Sequence, residues 1–165
     1  MKGILIVLLN TCFLAQQAFA QVEAGRGHTK GRHENGVWEI SPSFIYSYAA
    51  AEQEGLLKTE LHLTYWFTHQ WGGGLSYTRK YINSEDINDD IALIGSWNAT
   101  ARWKVNLGLN YTIPKKGGEE GLWGLYSELE FNIRPSVWFS YGPVIGSVIS
   151  KETEVYAGIH VGFEF

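Results

Sequence analysis

A strict two-residue alternation of apolar and polar side chains is the feature that most constrains the fold of this chain. The segment 103–113 has one apolar face and one polar face, formed by Trp103, Val105, Leu107, Leu109, Tyr111 and Ile113 against Lys104, Asn106, Gly108, Asn110 and Thr112. The segment 153–165 alternates as regularly. Successive side chains of a β-strand point to opposite faces, so this period predicts strands with one apolar and one polar face.

Eight segments follow this period, and each is close to the roughly 9–11 residues that a tilted strand needs to cross a bilayer. They span about 37–49, 56–67, 71–82, 90–99, 102–113, 121–133, 136–149 and 153–165. Tight connections at 69–70, 100–101 and 134–135 alternate with the charged connections 50–55, 83–89, 114–120 and 150–152. The arrangement predicts an all-β chain, folded as an eight-stranded antiparallel up-and-down transmembrane β-barrel.

Two prolines, Pro42 and Pro143, fall inside predicted strands. Proline has no backbone N–H to donate to a neighbouring strand, and a closed barrel has no free edge to accommodate it. We therefore expect bulges or local breaks at these two positions.

The sizes of the side chains indicate which face is outside. The polar face is mostly Gly, Ser, Thr and Asn with a few charges, which suits the narrow lumen of eight strands. Aromatic residues sort to the strand ends, with Trp38, Trp71, Trp97 and Trp103 beside tight connections and Tyr48, Tyr81, Tyr111 and Trp123 beside longer ones. Two such belts are typical of a barrel whose apolar face contacts lipid. The alternative is a soluble barrel with the aromatic face inside.

The N-terminus divides the chain into three predicted parts. Residues 1–20 form a signal peptide, with a positive Lys2, an apolar run and Ala18-Phe19-Ala20 before a cleavage expected after Ala20. Residues 21–35 are polar and glycine-rich and form a flexible N-terminal segment. Residues 36–165 form the barrel domain. Because the only cysteine, Cys12, lies in the signal peptide, the mature chain has no disulfide.

Composition excludes two other classes of protein. Aromatic residues make up 15% and charged residues only 18% of the chain, which is the opposite of a disordered sequence. The net charge of −4 argues against a nucleic-acid binder, which needs a basic patch.

The predicted signal peptide, the eight segments and the ending YAGIHVGFEF at 156–165 together resemble small outer-membrane barrels of the OmpA/OmpX type. The resemblance implies a Gram-negative outer membrane, with outer-membrane lipid and lipopolysaccharide around the barrel. It implies that the strand ending in Phe165 is recognised by the barrel-assembly machinery. It also implies periplasmic tight turns and outward acidic loops, which contain Glu52, Glu54, Glu85, Asp86, Asp89, Asp90, Glu119 and Glu120.

Strand parity predicts which polar side chains occupy the lumen. They are Glu39, Lys58, Glu60, His62, Lys104, Asn106, Asn110, Tyr126, Glu128, Glu130, His160 and Glu164. Buried charges must be paired and hydrogen-bonded, so we interpret this set as an interlocked polar plug that fixes strand register. The alternative is a hydrated path or an ion site. His62 and His160 flank the first strand and point inward, with Glu39 and Glu164 lower, and could bind a transition metal; the plug predicts no metal there.

Other candidate sites favour simpler interpretations. His28 and His33 precede Glu34 and could hold zinc or copper loosely, but the neighbouring basic residues favour a solvated tail. The acidic loops lack the fixed ligand spacing of a calcium loop, so we interpret them as solvated.

A lipid A-modifying enzyme would need a histidine, a serine and an acid at the lipid-facing rim. The candidates are His160 with Glu164, or His69 near Thr68, and neither pair has an adjacent serine. The sequence therefore predicts no catalytic residues and no cofactor. It predicts a structural or interaction role in the cell envelope. The main alternative is a barrel that supports transport, either as a narrow pore or by binding a small ligand or metal. The lipid A-modifying enzyme is the less favoured alternative.

Overall fold

The computed structural model describes residues 35–49, 54–82, 85–114, 120–151 and 153–165. Within them the chain forms eight strands: β1 Val37–Ala49, β2 Glu54–Trp66, β3 Trp71–Ile82, β4 Glu85–Asn98, β5 Trp103–Ile113, β6 Leu122–Phe131, β7 Phe139–Ile149 and β8 Thr153–Glu164. The predicted signal peptide and the flexible segment up to residue 34, with His28 and His33, lie outside the described residues.

The strands form a closed antiparallel barrel in chain order, which confirms the predicted fold class. β1 and β8 make the closing seam, and it ends in two backbone hydrogen bonds between Trp38 and Phe165, of 3.0 and 2.9 Å. We call the end of the barrel with the connections 66–71, 98–103 and 131–139 the turn end. The opposite end is the loop end.

Strand bounds differ most from the prediction at the loop end. β4 begins at Glu85, five residues before its predicted start, and β2 begins at Glu54. The predicted outward loop at 83–89 is therefore mostly strand. Asp90, which the sequence analysis grouped with the residues of the outward acidic loops, is instead buried in the lumen at 2% exposure. These residues lack the apolar alternation because a strand that continues past the lipid band has no apolar surface to present.

The two prolines interrupt hydrogen-bond ladders without shifting the register. The β6–β7 pairing skips the position of Pro143 and resumes in the same register at Ile133 and Tyr141. The β1–β8 pairing skips Pro42 in the same way. The expectation of bulges or local breaks is therefore met by local breaks. Within the described residues the one register shift lies between Arg79 and Tyr81 on β3.

One glycine on β7 is required by close contact between strands. A Cβ atom on Gly142 would lie 1.8 Å from the backbone oxygen of Phe131, so no larger residue fits without moving β6. This close approach occurs beside the interrupted ladder at Pro143 and keeps β6 and β7 together there.

The outward face of the barrel is apolar and the inward face is polar, which confirms the predicted orientation. Phe44 is 68% exposed and Leu93 is 64% exposed, whereas Ser41 and Ser47 are buried. At the turn end Trp71 stacks on Trp97 with ring centroids 5.8 Å apart. Within the described residues, no helix has the length and apolar composition needed to span a bilayer.

Candidate functional site

The candidate site is the barrel lumen, which is filled by polar and charged side chains. Eight of the nine charged residues and histidines that the sequence predicts in the lumen are at most 4% exposed: Glu39, Lys58, Glu60, His62, Lys104, Glu128, Glu130 and His160. We call these eight residues, together with the buried side chains joined to them by hydrogen bonds and ion pairs, the lumen network. The ninth residue, Glu164, lies at the turn end and pairs with Arg134. The network forms three layers along the barrel axis.

The layer nearest the turn end is centred on Lys104, which is fully buried. Its Nζ donates to Glu39 Oε1 at 2.8 Å and lies 2.8 Å from Glu130 Oε2. Trp66 Nε1 donates to the other oxygen of Glu39 at 2.9 Å. Because Lys104 lies on β5 and Glu39 on β1, the ion pair joins strands on opposite sides of the barrel.

The middle layer contains His62 between carboxylates. His62 Nε2 lies 3.2 Å from Glu60 Oε1, and its Nδ1 lies 3.7 Å from Glu128 Oε1. The hydroxyl of Tyr126 is 3.1 Å from His62 Nε2. Asn106 Nδ2 donates to Glu128 Oε1 at 2.9 Å and thereby orients it.

The two lumen histidines meet at one carboxylate rather than at a common metal position. His160 Nε2 lies 3.4 Å from Glu130 Oε2, and His62 Nδ1 lies 3.7 Å from Glu130 Oε1. His160 also contacts Asn132 Oδ1 at 3.1 Å. The predicted grouping of both histidines with Glu164 does not form, because Glu164 faces Arg134.

The layer nearest the loop end is a chain of ion pairs. Lys58 contacts Glu154, whose other oxygen lies 3.3 Å from Lys80 Nζ. Lys80 also pairs with Asp90 at 2.9 Å. Lys58 Nζ lies 5.7 Å from the ring centroid of Tyr156. These contacts link β2, β3, β4 and β8 across the lumen.

Eight members of the lumen network were not predicted from the sequence: Trp66, Ser76, Thr78, Lys80, Asp90, Asn132, Glu154 and Tyr156. Strand parity places Trp66 on the same face as His62, and Tyr156 on the same face as His160, so parity was the available signal. Parity also places Asp90 on the inward face with Ala92 and Ile94, although the sequence analysis grouped it with the outward acidic residues.

A small cavity of about 10 Å³ lies between the middle layer and the loop-end layer. It has room for about one water molecule. Its lining includes Lys58, Glu60, Asp90, Tyr126 and Tyr156. The ion pairs Lys104–Glu39 and His62–Glu128 tie opposite walls of the barrel together.

The fold and its lumen define a transmembrane β-barrel of eight strands, with a polar interior and an outward apolar face. No protein-family model and no curated protein matches the sequence.

Solved structures show the same fold. The N-terminal β-barrel domain of Pseudomonas aeruginosa OprF superimposes with a TM-score of 0.56 at 16% identity, covering 81% of this chain and 100% of that chain. Ail, the attachment invasion locus protein of Yersinia pestis, gives 0.54 at 14% identity, covering 79% and 99%. The outer membrane protein OprG from Pseudomonas aeruginosa gives 0.52 at 14% identity, covering 81% and 98%.

Proposed function

We propose that this protein is a structural or interaction component of the Gram-negative outer membrane, folded as a barrel whose lumen is closed by a polar plug. The observation that carries the proposal is the combination of the apolar outward face with the lumen network. Trp38, Trp71 and Trp123 are large and exposed near the two ends of the barrel, where interfacial aromatic residues are expected. The structural neighbours are outer-membrane barrels, which supports the same location.

The lumen network favours a closed barrel over a pore. Lys104 joins β1, β5 and β6 near the turn end, and Glu154 joins β2, β3 and β8 near the loop end. These ion pairs replace the hydration of the buried charges, as buried charges require. The Lys104–Glu39 pair joins opposite walls of the barrel. A cavity for about one water lies between the two layers and does not make a path.

We propose no catalytic role. His160, a candidate for a lipid-facing acid–base group, is 1% exposed and lies in the lumen. Thr68, the neighbour of the other candidate His69, uses its hydroxyl to accept hydrogen bonds from the backbone N–H groups of Gln70 and Trp71. The burial of His160 and the hydrogen bonds of Thr68 therefore both serve the fold.

The proposed partners follow from the outer surface. Outer-membrane lipid and lipopolysaccharide contact the apolar face. The barrel-assembly machinery recognises β8, whose outward residues include Val155, Ile159 and Phe163, together with Phe165, which is 71% exposed.

Two measurements on the full-length protein test the proposal. The first compares electrophoretic mobility of boiled and unboiled protein from isolated outer membranes, where a closed, detergent-resistant barrel shifts on boiling. The second measures ion conductance across a planar bilayer that holds the refolded barrel. We expect a mobility shift and a conductance no larger than that of the protein-free bilayer. Recovery in the soluble periplasm contradicts the location, and steady conductance by the wild type contradicts the plug.

A further inference from the structure

Three potential metal ligands meet near the axis of the barrel, in the middle layer. Glu60 and His62 lie two residues apart on β2 and so share its inward face. Glu128 comes from β6, which is the fourth strand from β2 in either direction around the ring. One donor atom from each of the three lies within 4.8 Å of the other two, and all three residues are buried. Opposite walls therefore converge on one point.

Two donor atoms in this cluster have no hydrogen-bond partner among the described residues. They are Glu60 Oε2 and His62 Nδ1, and both are enclosed by protein. Buried polar atoms are nearly always satisfied, so two unpartnered atoms in one cluster of potential ligands need an explanation. A bound cation accounts for both atoms at once.

The negative charges of the cluster also lack full compensation by neighbouring positive charges. Lys104 contacts Glu39 and Glu130, but within the described residues no lysine or arginine contacts Glu60 or Glu128. Among the described residues, His62 is the only basic side chain in ion-pair contact with these two carboxylates. A protonated His62 compensates one negative charge, whereas a divalent cation with a neutral His62 compensates both. Burial of an uncompensated charge is unfavourable, so the cluster fits a divalent ion better.

Neighbouring groups hold the donors in place. Ser76 Oγ and Thr78 Oγ1 donate to Glu60 Oε1 at 2.6 and 3.1 Å. Tyr156 donates its hydroxyl hydrogen to Glu128 Oε2 at 3.2 Å. Hydrogen bonds of this kind orient ligands and are a regular part of metal sites.

We propose that Glu60, His62 and Glu128 bind one divalent first-row transition-metal ion at the centre of the barrel. The imidazole favours zinc or iron over calcium and magnesium, which prefer oxygen ligands alone. Such ions bind nitrogen and oxygen ligands at about 2.0–2.2 Å, so the side chains move inward by about an ångström on binding. The ion joins β2 to β6 and completes the lumen network. This site goes beyond the proposed envelope role and does not depend on it.

Zinc is the probe for the test, because it has no redox chemistry and binds both ligand types. The full-length protein is refolded in detergent with zinc or with a chelator, desalted, and analysed for bound zinc and for thermal unfolding. Folding of every sample is checked by the mobility shift on boiling. We expect one zinc per barrel and a higher unfolding temperature in the zinc-loaded sample.

Four variants identify the site. Glu60→Gln and Glu128→Gln keep the side-chain volumes, and we expect each to bind zinc more weakly by about tenfold or more. Glu154→Gln makes the same charge change elsewhere in the lumen and retains the wild-type zinc content. His28→Ala with His33→Ala removes the histidines of the N-terminal segment and also retains it. Wild-type barrels that fold but retain no zinc would overturn the proposal, as would equal zinc binding by wild type, Glu60→Gln and Glu128→Gln.

Discussion

The stability of the barrel depends on Lys104, and replacing Lys104 by methionine removes the ammonium group that lies between Glu39 and Glu130. Lys104 is 0% exposed, and its Nζ lies 2.8 Å from an oxygen of each carboxylate. Methionine fills most of the same volume, so the change acts mainly on charge. Removing one partner of a buried ion pair costs about 3–5 kcal/mol because the other charge stays buried.

The hydrogen bonds that remain place the expected loss at the lower end of this range. Trp66 Nε1 still donates to Glu39, and Asn106 Nδ2 still donates to Glu130 at 2.6 Å. We therefore expect Lys104→Met to lower the free energy of unfolding by about 3 kcal/mol. The assay is urea unfolding of the barrel refolded into lipid vesicles, followed by tryptophan fluorescence, with the slope against urea fitted for each variant.

Two further variants make the result specific. Lys151→Met makes the same substitution at an exposed position, where we expect a change within about 0.5 kcal/mol. The double variant Lys104→Met with Glu130→Gln also loses one of the two carboxylates that face Lys104. We expect its free energy of unfolding to be about 1 kcal/mol or more above that of Lys104→Met alone. A loss below about 1 kcal/mol for Lys104→Met with an unchanged slope would refute the reasoning, because the buried carboxylates would then need no cation.

Three further substitutions test other parts of the structure in the same unfolding assay. Trp66→Phe removes the donor to Glu39 and leaves a buried carboxylate oxygen without that bond, so we expect a loss of about 1–3 kcal/mol; no loss would show that Glu39 is satisfied without it. Gly142→Ala places a Cβ 1.8 Å from the oxygen of Phe131 and costs about 1–3 kcal/mol, and wild-type stability would disprove the close approach. Leu93→Arg puts a charge on the lipid-facing wall and costs about 2–4 kcal/mol in vesicles, whereas an unchanged stability would contradict the membrane-facing assignment.

The barrel architecture could be predicted from the sequence because the lipid and the lumen impose opposite requirements on alternate residues. Leu107 and Leu109 face outward while Lys104 and Asn106 face inward, and this difference is visible in sequence order alone. Where the strand leaves the lipid band, the requirement disappears. The start of β4 at Glu85 was missed for this reason. The burial of Asp90 was missed although Asp90 shares the inward parity of Ala92, because it lies at the boundary between the predicted strand and the charged connection.

The partners of the lumen residues could not be predicted, since parity assigns a face but not a height or a neighbour. Glu39 and Lys104 lie 65 residues apart, and their contact depends on the stagger of β1 and β5 around the closed ring. The same stagger brings Glu128 to His62 and leaves Glu164 beside Arg134. The prolines illustrate a related limit: each removes one donor, but a bulge needs an inserted residue. Within the described residues the inserted residue lies on β4, where positions 87 and 88 both lie opposite Lys80 of β3.

The seam between β1 and β8 sets the order in which this chain can fold. Until β8 has been synthesised, β1 and β7 each expose an unpaired edge, and such edges promote aggregation. The contacts of the seam, between Trp38 and Phe165 at its end, are among the longest in sequence separation, so ring closure is slow and comes late. We therefore expect any open sheet that precedes closure of this seam to be prone to aggregation, and protection by a chaperone to favour folding of the chain.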